Sequence, residues 1–119
     1  MSNEHTFDSY ARYYDLLYRD KDYATEADYV AGLIRKFCPA AHSILELGSG
    51  TGMHATLLAE KAFIVHGVER SREMLVIAQQ NVANHPTLQP SNPLFSLGDI
   101  RSIRLGKSFD AVIALFHVI

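Results

Sequence analysis

The sequence has one cysteine, no excess of positive charge and no apolar run approaching ~18 residues. Each absence excludes something. Cys38, beside Pro39, has no second cysteine to join, so no internal disulfide staples the fold; it reads as a small buried residue or a loop thiol. A net charge of -2 lacks the basic footprint of a nucleic-acid binder and gives an anionic membrane little to hold. The opening "MSNEHTFDSY" lacks the charged-then-apolar layout of a signal peptide, and with no apolar span the expectation is a cytoplasmic protein. There is no internal repeat and no low-complexity segment.

What is present fits one globular domain: 119 residues, 48% hydrophobic and 20% charged. From Glu26, the apolar positions Val30, Leu33, Ile34 and Phe37 recur at helical spacing, and Pro39 ends the pattern. "SILEL" (43–47) reads as a strand buried on both faces. Met53, Leu57 and Leu58 then lie at helical spacing, and "FIVHGVE" (63–69) is a strand rich in β-branched residues. "SREMLVIAQQNVAN" predicts a helix with Ser71 as N-cap and Met74, Leu75, Ala78 and Val82 along one face. "HPTLQPSNP" holds three of the four prolines and predicts a loop. "LFSLGD" and "FDAVIALFHVI" follow as third and fourth strands. Strands alternating with amphipathic helices predict an α/β fold with a parallel sheet.

In such sheets, ligands bind beyond the carboxyl ends of the strands. Gly48, Gly50 and Gly52 stand at the first of those ends, where glycine permits positive φ and close approach to the backbone. Glu46, Glu69 and Asp99 mark three successive strand ends and would line one crevice. A carboxylate after the second strand suits a ribose diol, a feature shared with NAD-binding proteins. The loop itself departs from the dinucleotide pattern. Met53 stands where the third glycine belongs, and Glu46 would repel a pyrophosphate but attract a ligand ammonium.

"ILELGSGTG", "VHGVERSREML", "LGDI" and "FDAVIALFHV" together resemble the successive motifs of class I S-adenosylmethionine-dependent methyltransferases, over about residues 43–119. The resemblance implies a Rossmann-like parallel sheet with flanking helices, with S-adenosyl-L-methionine as cofactor and S-adenosyl-L-homocysteine as product. It implies that the loop of Glu46, Gly48, Ser49, Gly50, Thr51 and Gly52 holds the methionine end. Glu69 would take the ribose hydroxyls, with Arg70, Met74, Asp99, Ile100 and Leu115 around the rest of the cofactor. No metal is implied.

"YARYYDLLYRDKDYATEADYV" is also similar to the N-terminal segment of a narrower bacterial group that includes the nucleotide-amino-sugar N,N-dimethyltransferases. In that group the segment forms part of a lid, and the match carries over to Tyr14 and Tyr23. An aromatic face can pack on a sulfonium. Tyr10, Tyr13, Tyr18 and Tyr29 read as half-buried covers. The expected organisation is one cofactor-binding domain, with residues 1–42 as a helical lid segment and 43–119 as a β-α-β-α-β-β core.

The function expected from the resemblance is methyl transfer to a small-molecule acceptor, an amine such as an amino sugar. His117, just past the fourth strand, is the candidate base, with Tyr14 as the second catalytic candidate. His66 reads as structural, and the other histidines have no context in the sequence. The family's sheet has seven strands and this chain supplies four, so the reading is of a chain truncated after the fourth. The apolar edge at "AVIALFHVI" is then expected to self-associate. The alternative is a non-catalytic cofactor-binding or interaction module.

Overall fold

The computed structural model describes residues 22–85, 87–88, 92–102 and 104–115. Its elements run α1 (Tyr23–Phe37), β1 (Ser43–Leu47), α2 (Met53–Glu60), β2 (Ile64–Glu69), α3 (Arg72–Ala83), β3 (Leu94–Leu97) and β4 (Ala111–Ile113). All strand pairs are parallel, in the order β3-β2-β1-β4. The order places β1 and β2 at the centre, so the glycine loop leaves from an interior strand. The expected α/β sheet is observed.

Local chemistry sets the helix ends. Asp22 caps α1, accepting from the Thr25 amide at 2.9 Å and the Thr25 hydroxyl at 2.6 Å; these bonds hold its carboxyl below the usual range. The helix therefore starts three residues before Glu26. Ser71 caps α3 as expected, accepting from Met74 N at 3.2 Å. Gly52 opens α2 at φ +78°, with no side-chain cap.

The buried stripe of α1 differs from the expected one. Ala27, Val30, Ala31 and Ile34 are buried, while Leu33 and Phe37 are exposed. Two alanines let the helix axis come close to α2, which rotates the larger residues outward. Tyr29 is also exposed, at 68%, and is no cover for the core. Cys38 is exposed at the helix end, so of its two expected readings the loop thiol applies.

Ile44, Val65, Leu58, Ala55 and Phe63 join the α1 stripe in one core. Glu46, Gly67 and Phe95 share that face of the sheet by register with Ile44 and Val65. On the opposite face Ile64, Leu94 and Val112 are exposed. The burial of β1 accordingly alternates, with only Ile44 and Glu46 fully buried, and the expectation of burial on both faces is not met. The described helices pack on one side. β3 and β4 are shorter than the sequence suggested, and residues 116–119 lie outside the described set.

One strand residue is dictated by the loop above it. A Cβ on Gly67 would lie 2.7 Å from Ser49 Cβ and Oγ and 2.8 Å from Phe95 Cδ1. Gly67→Ala is therefore expected to cost about 1–3 kcal/mol, the range for overpacking. Urea unfolding of the variant measures it, and unchanged stability would show that the loop gives way freely.

Candidate functional site

The loop after β1 is clamped from three directions. Gly48 N and Ser49 N donate to Val68 O at 2.9 and 3.1 Å, continuing the β1–β2 contact past the strand end. Gly50 N donates to Glu69 Oε1 at 2.8 Å, and Asn81 Nδ2 of α3 donates to Thr51 O at 2.9 Å. Gly48, Gly50 and Gly52 all have positive φ, at 67°, 58° and 78°, a region costly for residues with a Cβ. At Gly52 a Cβ would also meet Phe95 Cζ at 2.7 Å. The glycines are required by backbone geometry.

Glu46 is 1% exposed, on β1 and level with Gly67. Burial, reinforced by the charge of Glu69, pushes its carboxyl up to about 8. Among the described residues its Oε1 is buried with no hydrogen-bond partner, and the Oγ of neighbouring Ser49 is in the same condition. Orphaned buried acceptors are rare in folded proteins and cost ~1–3 kcal/mol each. Two of them beside one glycine loop mark a place shaped for a ligand.

Glu69 is 6% exposed, and both its oxygens are engaged. Oε1 accepts from Gly50 N, and Oε2 accepts from Ser71 N at 2.9 Å, so one side chain joins the loop to the start of α3. Each carboxylate oxygen keeps a further lone pair for a donor.

Asp99 is half-exposed and paired with Arg101, whose Nη2 lies 2.7 Å from Oδ2; this bond and the Arg101 amide hold the Asp99 carboxyl well below the usual range. A cleft of about 260 Å³ opens between the ends of the first three strands, lined by Gly48, Val68, Arg70, Gly98, Asp99, Ile100 and Arg101. That is just under the ~300 Å³ at which pockets begin to take drug-sized ligands, and suits one ring system. A larger groove of about 460 Å³ lies at the far side, between α3 and β3, away from the loop and its acids.

The expected residues thus fall into two neighbouring groups, Glu46 to Gly52 with Glu69, and Arg70, Asp99 and Ile100 around the cleft. Met74 is buried in α3, and Leu115 packs against the core rather than lining the cleft. Tyr14 and His117, with Tyr10, Tyr13 and Tyr18, lie outside the described residues. The Tyr23 ring packs edge-on against His54, with centroids 5.0 Å apart. His66 is structural as expected, bonding Ser96 Oγ at 2.6 Å.

The sequence reading missed three residues. Asn81 clamps the loop and Gly67 makes room for it. His54, 7% exposed, stands between Glu26 Oε1, at 3.0 Å from Nε2, and Glu46 Oε2, at 3.7 Å from Nδ1. Its placement after Gly52 in the first turn of α2 was the available signal. Among the described residues no group of three or more His, Cys, Asp or Glu could hold a metal ion, and no helix is long and apolar enough to cross a membrane.

A family model described as a methyltransferase domain matches residues 44–119. The dTDP-3-amino-3,4,6-trideoxy-alpha-D-glucopyranose N,N-dimethyltransferase of Streptomyces venezuelae is 37% identical over 109 residues, which are 90% of this chain and 43% of the relative. The dTDP-3-amino-3,6-dideoxy-alpha-D-glucopyranose N,N-dimethyltransferase of Streptomyces fradiae is 38% identical over 113 residues, 92% of this chain and 40% of the relative. Among solved structures, Streptomyces venezuelae DesVI matches with a TM-score of 0.75 at 37% identity, covering 90% of this chain and 43% of that one. A SAM-bound amino pentose methyltransferase of Micromonospora echinaspora matches with a TM-score of 0.74 at 36% identity, over 87% and 41%. The chain spans about 40% of the length of these relatives. With a Rossmann-like sheet and a family match running from β1 through β4, the chain belongs to the methyltransferase domain family.

Proposed function

We propose that this chain carries the cofactor site of an S-adenosylmethionine-dependent methyltransferase whose acceptor is a small amine, an amino sugar by likeness to the relatives above. The observation that carries the reading is the pair of orphaned buried acceptors, Glu46 Oε1 and Ser49 Oγ, beside a clamped glycine loop. The site fits the cofactor. Glu46 would bind its ammonium, Glu69 would accept from the ribose hydroxyls, and the cleft between Arg70, Asp99 and Ile100 would take the adenine. A bound cofactor supplies a methyl group on a sulfonium, already activated for transfer to a lone pair.

The protein's share of the chemistry is then mainly placement. The clamped loop would hold one end of the cofactor and the cleft lined by Arg70, Asp99 and Ile100 the other. Tyr14 at the sulfonium, and His117 as base for an acceptor that arrives protonated, complete the proposal. A cytoplasmic location belongs to it too, as does self-association at the β4 edge.

Isothermal titration tests the reading with three compounds. S-Adenosylhomocysteine should bind, 5′-methylthioadenosine (which lacks the amino-acid end) should bind more weakly, and NAD should not bind. Binding of NAD, or of none of the three, would overturn the proposal.

A further inference from the structure

His54 has no part in the function proposed above, yet it reaches from Glu46 to α1. Its ring is fixed on three sides. Glu26 Oε1 holds Nε2 at 3.0 Å, Tyr23 packs edge-on at 5.0 Å, and Nδ1 faces Glu46 Oε2 at 3.7 Å. Because an ionised carboxylate only accepts, Glu26 favours a proton on Nε2, and in the neutral ring the acceptor facing Glu46 is then Nδ1. At 3.7 Å the pair is within ion-pair reach and just beyond a hydrogen bond.

We propose that His54 is a positioning residue for the cationic end of the ligand, facing Glu46 through Nδ1 while anchored to α1 by Glu26 and Tyr23, and so coupling the seating of that helix to recognition of an ammonium. The inference rests on the function proposed above and names the specificity element of the same site. When a cation docks at Oε1, Glu46 must be ionised. The Oε2–H bond breaks, its proton forms a bond to His54 Nδ1, and the resulting imidazolium lies between two carboxylates. Among the described residues, the charged groups facing the ring are Glu26 from α1 and Glu46 from β1, with the charge of Glu69 on β2 acting on Glu46. The buried proton is thereby kept in the protein rather than passed to solvent. Glu26, with its side chain 44% exposed, ties the arrangement to the surface of α1.

The test compares S-adenosylhomocysteine with 5′-methylthioadenosine on the 119-residue chain and its variants. His54→Ala is expected to weaken the homocysteine compound at least ten-fold and leave methylthioadenosine within two-fold. Glu26→Gln, a change at a half-exposed site that spares the core, should show the same selectivity with a three- to ten-fold loss. Titration at pH 7 in buffers of different ionisation enthalpy adds a readout that a merely structural histidine would not move. Proton release on binding the homocysteine compound should rise in His54→Ala, by up to one per site. Equal losses for both compounds, no loss for either, or unchanged proton release would overturn the inference. Failure of the unmodified chain to bind either compound would overturn the proposed function instead.

Discussion

Glu46→Gln is expected to make the chain more stable and, in the same step, unable to favour a ligand that carries an ammonium. The carboxyl is raised in the folded state to about 8 from a reference of 4.5, by burial first and by Glu69 second. Folding therefore takes up a proton between those two values. The stability of the unmodified chain is full below pH ~4.5, falls as pH rises toward 8, and is level beyond, where the buried group is ionised. Each tenfold difference in proton affinity between the folded and unfolded chain is worth ~1.4 kcal/mol, so the whole loss is roughly 3–5 kcal/mol. An amide cannot ionise, so the variant should lack this loss, and its advantage should open between pH 5 and pH 9. Urea unfolding at pH 5, 7 and 9 measures this; parallel profiles for the two proteins would refute it. A residue that stabilises the fold when removed, and abolishes a binding preference when removed, is held for the ligand and not for the core.

Glu69→Ala should act in the opposite sense on stability. The side chain satisfies two backbone amides, Gly50 N and Ser71 N, at a site 6% exposed. Removing it leaves the buried Gly50 amide and the part-buried Ser71 amide unpaired, at ~1–3 kcal/mol each, so a loss of about 2–6 kcal/mol is expected. Binding of S-adenosylhomocysteine should weaken by a further ~1–3 kcal/mol as the hydroxyl acceptor is lost. Glu69→Gln retains one carbonyl oxygen and should fall between the two. Unfolding curves and calorimetric titration separate these effects, and an unchanged affinity in Glu69→Ala would remove this residue from the site.

Much of this site was legible in the sequence because its signals are local. Gly48, Gly50 and Gly52 announce positive φ wherever they occur together, and Ser71 stands in the position a cap requires. Strands alternating with helices constrain the sheet to a parallel one. Glu46 and Glu69 could be placed at strand ends by counting alone. What was hidden depends on approach between distant segments. The stripe of α1 was misjudged because helical spacing locates apolar residues but not how near the helix comes. Ala27 and Ala31 permit a close approach that Leu33 and Phe37 would block. Asp99 reads as a free strand-end acid until Arg101, two residues on, folds back onto it. His54 looks like an isolated helix histidine until α1 brings Glu26 to one ring nitrogen and β1 brings Glu46 to the other. Gly67 looks like a weak point in a strand until Ser49 and Phe95 fill the space above it.

The central placement of β1 also gives it partners at two very different distances along the chain. The bond from Gly50 to Glu69 closes 19 residues of chain, whereas the Asp110 carboxylate reaches back 67 residues to the Ser43 amide. Loop-closure entropy makes the longer closure costlier by about 1 kcal/mol, before β4 gains any contact in return. β4 contributes only three residues to the ladder, with Asp110 as its clasp on His42 N and Ser43 N. The glycine loop and its clamp on β2 are thus built from the part of the chain that closes early. None of the loop's clamping bonds, to Val68, Glu69 and Asn81, goes to β4.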